Sequence, residues 1–255
     1  PYFKAQLAAE MDSALGGPGP SRLEGRREAE FSARFKMDPA EMRRIDLKYG
    51  PLDWRLPESH ALYWALQALA RNAKSATTLS ANRMLYQSMA EAFRNGRLEF
   101  NPDTGEYATR PNIELLPKAL RVFEEALGAS GDRSFREAHA SFLGEAVMIL
   151  FTFNRREAAR ELYGRLLDRY PWPGAPAAAE EYIYQSIVRS LRQEQGSTTA
   201  AIVEGFLFQA FVQFAEGEEE RAAGFHAIGK LLWRQHMKDL SEELVQTSGL
   251  PPIEN

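Results

Sequence analysis

Apolar residues recur at helical spacing along most of the chain, and Gly, Pro and Asn interrupt them. The densest run is Phe142–Phe153 (FLGEAVMILFTF). After Asn154 comes an amphipathic stretch, REAARELYGRLLDRYP. A helix apolar on all sides is buried, whereas one with a single apolar stripe lies at the edge of a core. From Pro111 onward the pattern predicts helices over 112–128, 134–153, 155–169, 177–193, 198–215 and 218–236. A short last helix is expected over 238–247, before Gly249 and Pro251-Pro252. Breaks fall at Gly128–Gly131, Tyr170–Gly174, Gly196 and Gly217. Turns this short make neighbouring helices antiparallel.

The first half is punctuated more heavily. Residues 2–14 read as a short helix that ends in the linker Gly16-Gly17-Pro18-Gly19-Pro20. Ser21 with Glu24 has capping-box form and starts a charged helix running to Phe35. Asp38-Pro39 is an N-cap followed by proline at the first helical position, and that helix ends near Gly50. Gly50-Pro51-Leu52-Asp53-Trp54-Arg55-Leu56-Pro57 is a proline-fixed extended loop. Helices follow over 58–72 and 76–95. A small β-hairpin is expected near 98–109, turning at Asn101–Gly105. The organisation expected is a helical arm (1–49), a helical region with the loop and hairpin (50–130), helical repeats (131–248) and a tail (249–255). Large apolar residues are sparse in the arm, so it needs another surface to lie on.

Asn154, Ala159, Tyr163 and Pro171 fall on the turn, small, aromatic and terminal-proline positions of a 34-residue helix–turn–helix unit. In this the chain resembles the tetratricopeptide repeat. Gly217 and Ala222 repeat the spacing of Asn154 and Ala159, with His226 and Arg234 in place of the aromatic and the proline. Val147 and Leu166 stand where the family has small residues. The two turns lie 63 residues apart, not twice 34, so the unit around 171–197 is irregular. The resemblance covers 134–236. It implies an all-α fold, a right-handed α-solenoid of tetratricopeptide-like hairpins, and a groove for a protein partner. A bundle without repeat ancestry is the alternative. A clamp for a terminal carboxylate is not supported, since Arg136 is the main cation on the first helices.

Composition removes many chemistries. The 255 residues contain no cysteine, which excludes disulfides, thiolate nucleophiles, Zn–Cys sites and Fe–S clusters. A net charge of −4 argues against a general nucleic-acid binder. His60, His139, His226 and His236 show no metal-ligand spacing. Glutamate runs such as Glu218–Glu220 suit the positive end of a helix dipole. No phosphate-loop, dinucleotide or nucleophile-elbow motif occurs. No catalytic residue, cofactor or metal is therefore expected. The chain opens on Pro1 instead of Met. The sequence leaves open a removed leader or anchor, and with it indirect membrane association through such a segment or through a partner; a periplasmic or envelope location is slightly favoured over a cytoplasmic one.

The residues expected to touch a protein partner are Trp54, Arg55 and Trp172, because tryptophan and arginine dominate interface hot spots and prolines hold these loops. The competing reading folds Trp54 back on Tyr63 and Trp64. More than half exposure of Trp54 favours an interface, and full burial favours packing. The function expected is a non-catalytic scaffold or accessory subunit of a larger complex. The alternative is a small-molecule or lipid carrier with a cavity between the apolar helices. Deleting residues 1–36 is expected to leave a cooperative thermal transition, measured by circular dichroism; its loss would refute the docked-arm reading.

Overall fold

The structure, a computed structural model, describes residues 32–71, 77–101, 105–130, 133–193 and 199–239. The described residues are almost entirely helical. In chain order the elements are α1 (Pro39–Tyr49), α2 (Pro57–Arg71), α3 (Thr77–Asn95), β1 (Arg97–Asn101), β2 (Glu106–Arg110), a 3₁₀ turn (Ile113–Leu115), α4 (Leu116–Ser130), α5 (Arg133–Thr152), α6 (Arg156–Arg169), α7 (Ala179–Gln193), α8 (Thr199–Ala215) and α9 (Glu219–Asp239). The expected helix over 2–14, the linker 16–20, most of the charged helix from Ser21, the last helix over 238–247 beyond Asp239 and the tail lie outside the described residues. The chain divides into two compact units, 1–139 and 140–255.

In the first unit each helix follows from a local signal. The Asp38 carboxylate accepts from the Ala40 N–H at 2.8 Å, and Pro39 follows it, so α1 starts where the cap and the fixed φ agree. Met42, Ile45 and Tyr49 form one buried stripe of α1 and join buried Met37. The last helix of the segment read as an arm thus carries its own core contacts. Gly50 ends α1 with extended backbone (φ −81°) and not in the left-handed conformation typical of such glycines. A Cβ there would run into the side chain and carbonyl of Asp46.

The core of this unit lies among α2, α3, α4 and the start of α5. Leu62, Met89, Phe93, Leu115, Phe123 and Phe135 are almost wholly buried. The Tyr86 ring meets Phe123 at 4.8 Å and Phe135 at 5.0 Å between centroids, within the range where aromatic pairs attract beyond simple burial. The hairpin β1–β2 is antiparallel, pairing Arg97 with Arg110 and Asn101 with Glu106. Phe100 and Tyr107 are cross-strand partners with rings 5.0 Å apart. Two strands alone are marginal in water. Leu98 supplies what they lack by packing with buried Leu56 and with Tyr107.

In the second unit the two helical hairpins turn by the same device. At the end of α5 the Asn154 N–H donates to the Phe151 carbonyl at 3.0 Å and the Arg155 N–H to the Leu150 carbonyl at 2.9 Å. At the end of α8 the Gly217 N–H donates to Phe214 at 3.0 Å and the Glu218 N–H to Gln213 at 2.8 Å. These are the paired bonds of a Schellman motif, which satisfies carbonyls left over at a helix end. Asn154 (φ 56°) and Gly217 (φ 80°) occupy its left-handed position. Beyond the turn, Ala159 and Ala222 are both buried. In α6, Ala159, Leu162, Tyr163 and Leu166 form the buried stripe. Gly224 lets the α9 backbone close on the Thr152 and Phe151 carbonyls at the end of α5, where no Cβ fits.

A left-handed conformation costs a residue with a Cβ about 1–2 kcal/mol, and asparagine tolerates it better than most. Gly217→Ala is therefore expected to lower unfolding free energy by about 1–2 kcal/mol. Asn154→Gly is expected to leave it unchanged or raise it. Urea denaturation of both variants checks the pair.

Candidate functional site

The proline-fixed loop between α1 and α2 is held by side chains from all around it. Asp53 is its centre. Its Oδ1 accepts from the Arg55 N–H at 3.0 Å and from Arg55 Nε at 2.8 Å. Its Oδ2 accepts from Arg55 Nη2 at 2.7 Å and from the Leu98 N–H at 3.3 Å. Arg55 Nη2 also donates to the Leu98 carbonyl at 3.1 Å. One bidentate ion pair thus fastens the loop to β1, and such pairs are the stronger kind.

The carbonyls along the loop are then taken up in turn. Arg121 Nη2 donates to Lys48 O at 2.8 Å, Lys118 Nζ to Gly50 O, and Asn112 Nδ2 to Pro51 O at 3.0 Å. Lys118 and Arg121 stand one helical turn apart on α4, so both reach the loop from one face. Ser59 Oγ donates to Asp53 O at 2.7 Å, and His60 Nε2 lies 2.8 Å from Trp54 O. Because a carbonyl can only accept, His60 presents an Nε2–H there. Burial lowers the His60 pKa below the ordinary histidine value, against the opposing pull of the Trp54 bond.

The sequence-predicted contact residues are placed as follows. Trp54 is part-exposed, between the two outcomes set for it. Tyr63 and Trp64 pack edge to face on each other at 5.1 Å. Arg55 has its guanidinium committed to Asp53 and Leu98. Trp172 is part-buried in an aromatic cluster, 6.5 Å from Tyr163 and 6.2 Å from Tyr182. Tyr163 stacks on Tyr182 at 4.9 Å and donates its hydroxyl to Pro176 O at 2.7 Å. Burial, then the neighbouring Tyr182, raises the Tyr163 pKa. Trp54 and Arg55 lie in the first unit and Trp172 in the second.

A different surface stands out in the second unit. The helix over 198–215 is apolar on most sides, the pattern of a buried helix. Instead Phe208, Phe211 and Phe214 are 64%, 73% and 67% exposed. Spaced by three residues, they share one side of α8. The other side packs normally: Phe206 meets Phe225 at 6.2 Å, and Leu207 lies against Gly229 of α9. Phe211 and Phe214 edge a groove of about 690 Å³ between α8 and α9, floored by Ala210, Ala222 and Ala223. In the first unit a polar-rimmed groove of about 390 Å³ runs between α2 and α3, from Glu58 to Glu91 past Met84. Among the described residues, no group of three His, Asp or Glu side chains could hold a metal ion, and no helix is long and apolar enough to cross a membrane.

The lowered His60 pKa gives a signed expectation. Above the unfolded value of about 6.5 both states hold neutral histidine and the group contributes nothing. Below it the unfolded chain binds a proton that the folded chain resists, so stability falls with pH toward the folded pKa. His60→Gln keeps a donor for Trp54 O and removes the titration. Between about pH 8 and about pH 5.5, wild type should lose more Tm than His60→Gln. Equal losses by scanning calorimetry would show that His60 is not the group responsible.

No protein-family model, no curated protein and no solved structure matches this chain.

Proposed function

We propose that this protein is a non-catalytic interaction scaffold or accessory subunit of a larger assembly. In this reading its second unit is a right-handed stack of tetratricopeptide-like hairpins, and it holds a helix of a partner protein against the phenylalanine face of α8. The shared turn geometry at Asn154 and Gly217, 63 residues apart, supports the repeat. The observation that carries the function is the exposure of Phe208, Phe211 and Phe214.

Magnitudes favour a partner over an idle surface. Three phenyl rings about two-thirds exposed present on the order of 400 Å², the size at which patches on soluble proteins are usually functional. Covering them yields roughly 10 kcal/mol before the costs of association. Those costs run about 4–15 kcal/mol, so the rings can anchor a complex but need further contacts to make it tight. The groove beside them is mostly apolar, as the anchors of a bound amphipathic helix require. Arg55 and Trp172 are engaged internally, so Trp54 is the member of the first set that remains available as a secondary contact.

The carrier alternative would use the same groove of about 690 Å³. The groove is open to solvent, which leaves an acyl chain half wet. Lipid recovered by solvent extraction of the purified protein would favour it.

Phe211→Asp is expected to remove a stoichiometric co-purifying protein during mild isolation from the native source, with the thermal transition retained because the ring is exposed. Wild type recovered as a lone monomer would sink the scaffold reading. A homodimer lost on the same substitution would replace the partner with a second copy.

A further inference from the structure

A basic pocket adjoins the phenylalanine groove, and the two share His226. It is a cleft of about 360 Å³ lined by Arg156 and Arg160 of α6, Glu180 at the start of α7, and Lys230 and Arg234 of α9. Four cations face one carboxylate, on a chain whose net charge is −4. Arg160 is matched by two carboxylates, Glu180 at 2.7 Å and Glu157 at 3.7 Å. Arg156 is propped in place: its guanidinium lies over the Phe151 ring at 5.9 Å and donates to Asn154 Oδ1 at 3.1 Å. Arg156 is thus fixed by an aromatic and an amide contact, and Lys230 lines the cleft with it.

Along α9 the lining changes character in order. Glu219, Ala222 and His226 border the apolar groove, and His226, Lys230 and Arg234 border the basic one. These positions fall on one broad face about 22 Å long, at 1.5 Å per residue. Glu216, Glu218, Glu219 and Glu220, all exposed, crowd the opposite end, and Glu220 is paired to Arg155 at 2.8 Å. A ligand along this face meets acid, then phenyl rings, then base.

Resting on the scaffold reading above, we propose that the basic pocket is the charge clamp for the partner, which is an amphipathic helix carrying Asp or Glu at one end of its apolar face. Guanidinium forks match carboxylates bidentately. The clamp fixes the direction in which the helix lies, because reversal would set its acidic end against the glutamate turn. The same turn disfavours an anionic membrane, which would have to press its headgroups onto those carboxylates.

The test uses the full chain as bait against a displayed library of random helical peptides about 16 residues long. Selected sequences are expected to share apolar positions at i, i+3 or i+4 and i+7 and to be enriched in Asp and Glu at one end. A chosen peptide should bind about tenfold more weakly when its acids become Gln or Asn, and weaken with salt. Lys230→Gln, and separately Lys230→Glu with Arg234→Glu, should abolish the acid enrichment and keep the apolar pattern, each variant retaining its thermal transition. Apolar peptides selected without acid enrichment, or acid enrichment unchanged by these substitutions, would overturn the clamp and leave the scaffold reading standing. Peptides whose binding is indifferent to Phe211→Asp, or no enrichment at all, would overturn the scaffold reading itself. Sedimentation of the chain with vesicles of phosphatidylserine and phosphatidylcholine, lost in Lys230→Glu, would overturn the clamp in favour of a lipid surface.

Discussion

Every helix leaves four N–H groups at its start and four carbonyls at its end without intrahelical partners, and a chain built almost wholly of helices must answer that demand repeatedly. The two units answer differently. In the second, the chain folds back sharply on itself and a left-handed residue lets the backbone bond its own carbonyls at Asn154 and Gly217. In the first, side chains from other elements do the work: Arg121, Lys118, Asn112, Ser59 and His60 cap carbonyls between Lys48 and Trp54. The hairpin angle in one unit and the loop path in the other follow from which solution the local sequence permits.

That difference explains what was legible beforehand. Caps are local, so Asp38-Pro39 marked the start of α1, and Asn154 and Gly217 marked turns whose geometry proved equivalent. The hairpin near 98–109 was visible from its turn residues and is only slightly longer, from Arg97 to Arg110. Arg55 is tied to the Leu98 carbonyl 43 residues away, a contact that no local pattern displays. Asp53 and Arg55 meet because the chain turns there: the Arg55 N–H donates to Asp53 Oδ1 and the Leu56 N–H to the Asp53 carbonyl, the side-chain turn that Asp favours. The α8 surface was illegible for a deeper reason. Apolar residues all round a helix report that every face is to be covered, but not which neighbour covers it. Phe206 is covered by α9, and Phe208, Phe211 and Phe214 are not covered.

Charge and hydrophobicity are sorted along α9 as well as across it. Helix dipoles favour acid at the start and base at the end, so Glu219 and Glu220 in the first turn and His236 and Lys238 in the last need no partner to be stable. Lys230 and Arg234 sit before that last turn, beside Arg156 and Arg160 of another helix. Arg160 is compensated there by Glu180, and helix stability alone does not require Lys230 to share a cleft with Arg156.

The capped loop of the first unit also bears on how the molecule survives. A peptidase must draw several residues of its target into an extended, accessible ribbon before it cuts. Residues 48–56 alternate between buried positions such as Tyr49, Leu52 and Leu56 and more exposed ones, and peeling them away breaks the Asp53 clamp and several carbonyl caps at once. Such a segment does not fray on its own: it opens together with the helices that grip it, and its amide protons exchange with solvent on the slow clock of that larger unit.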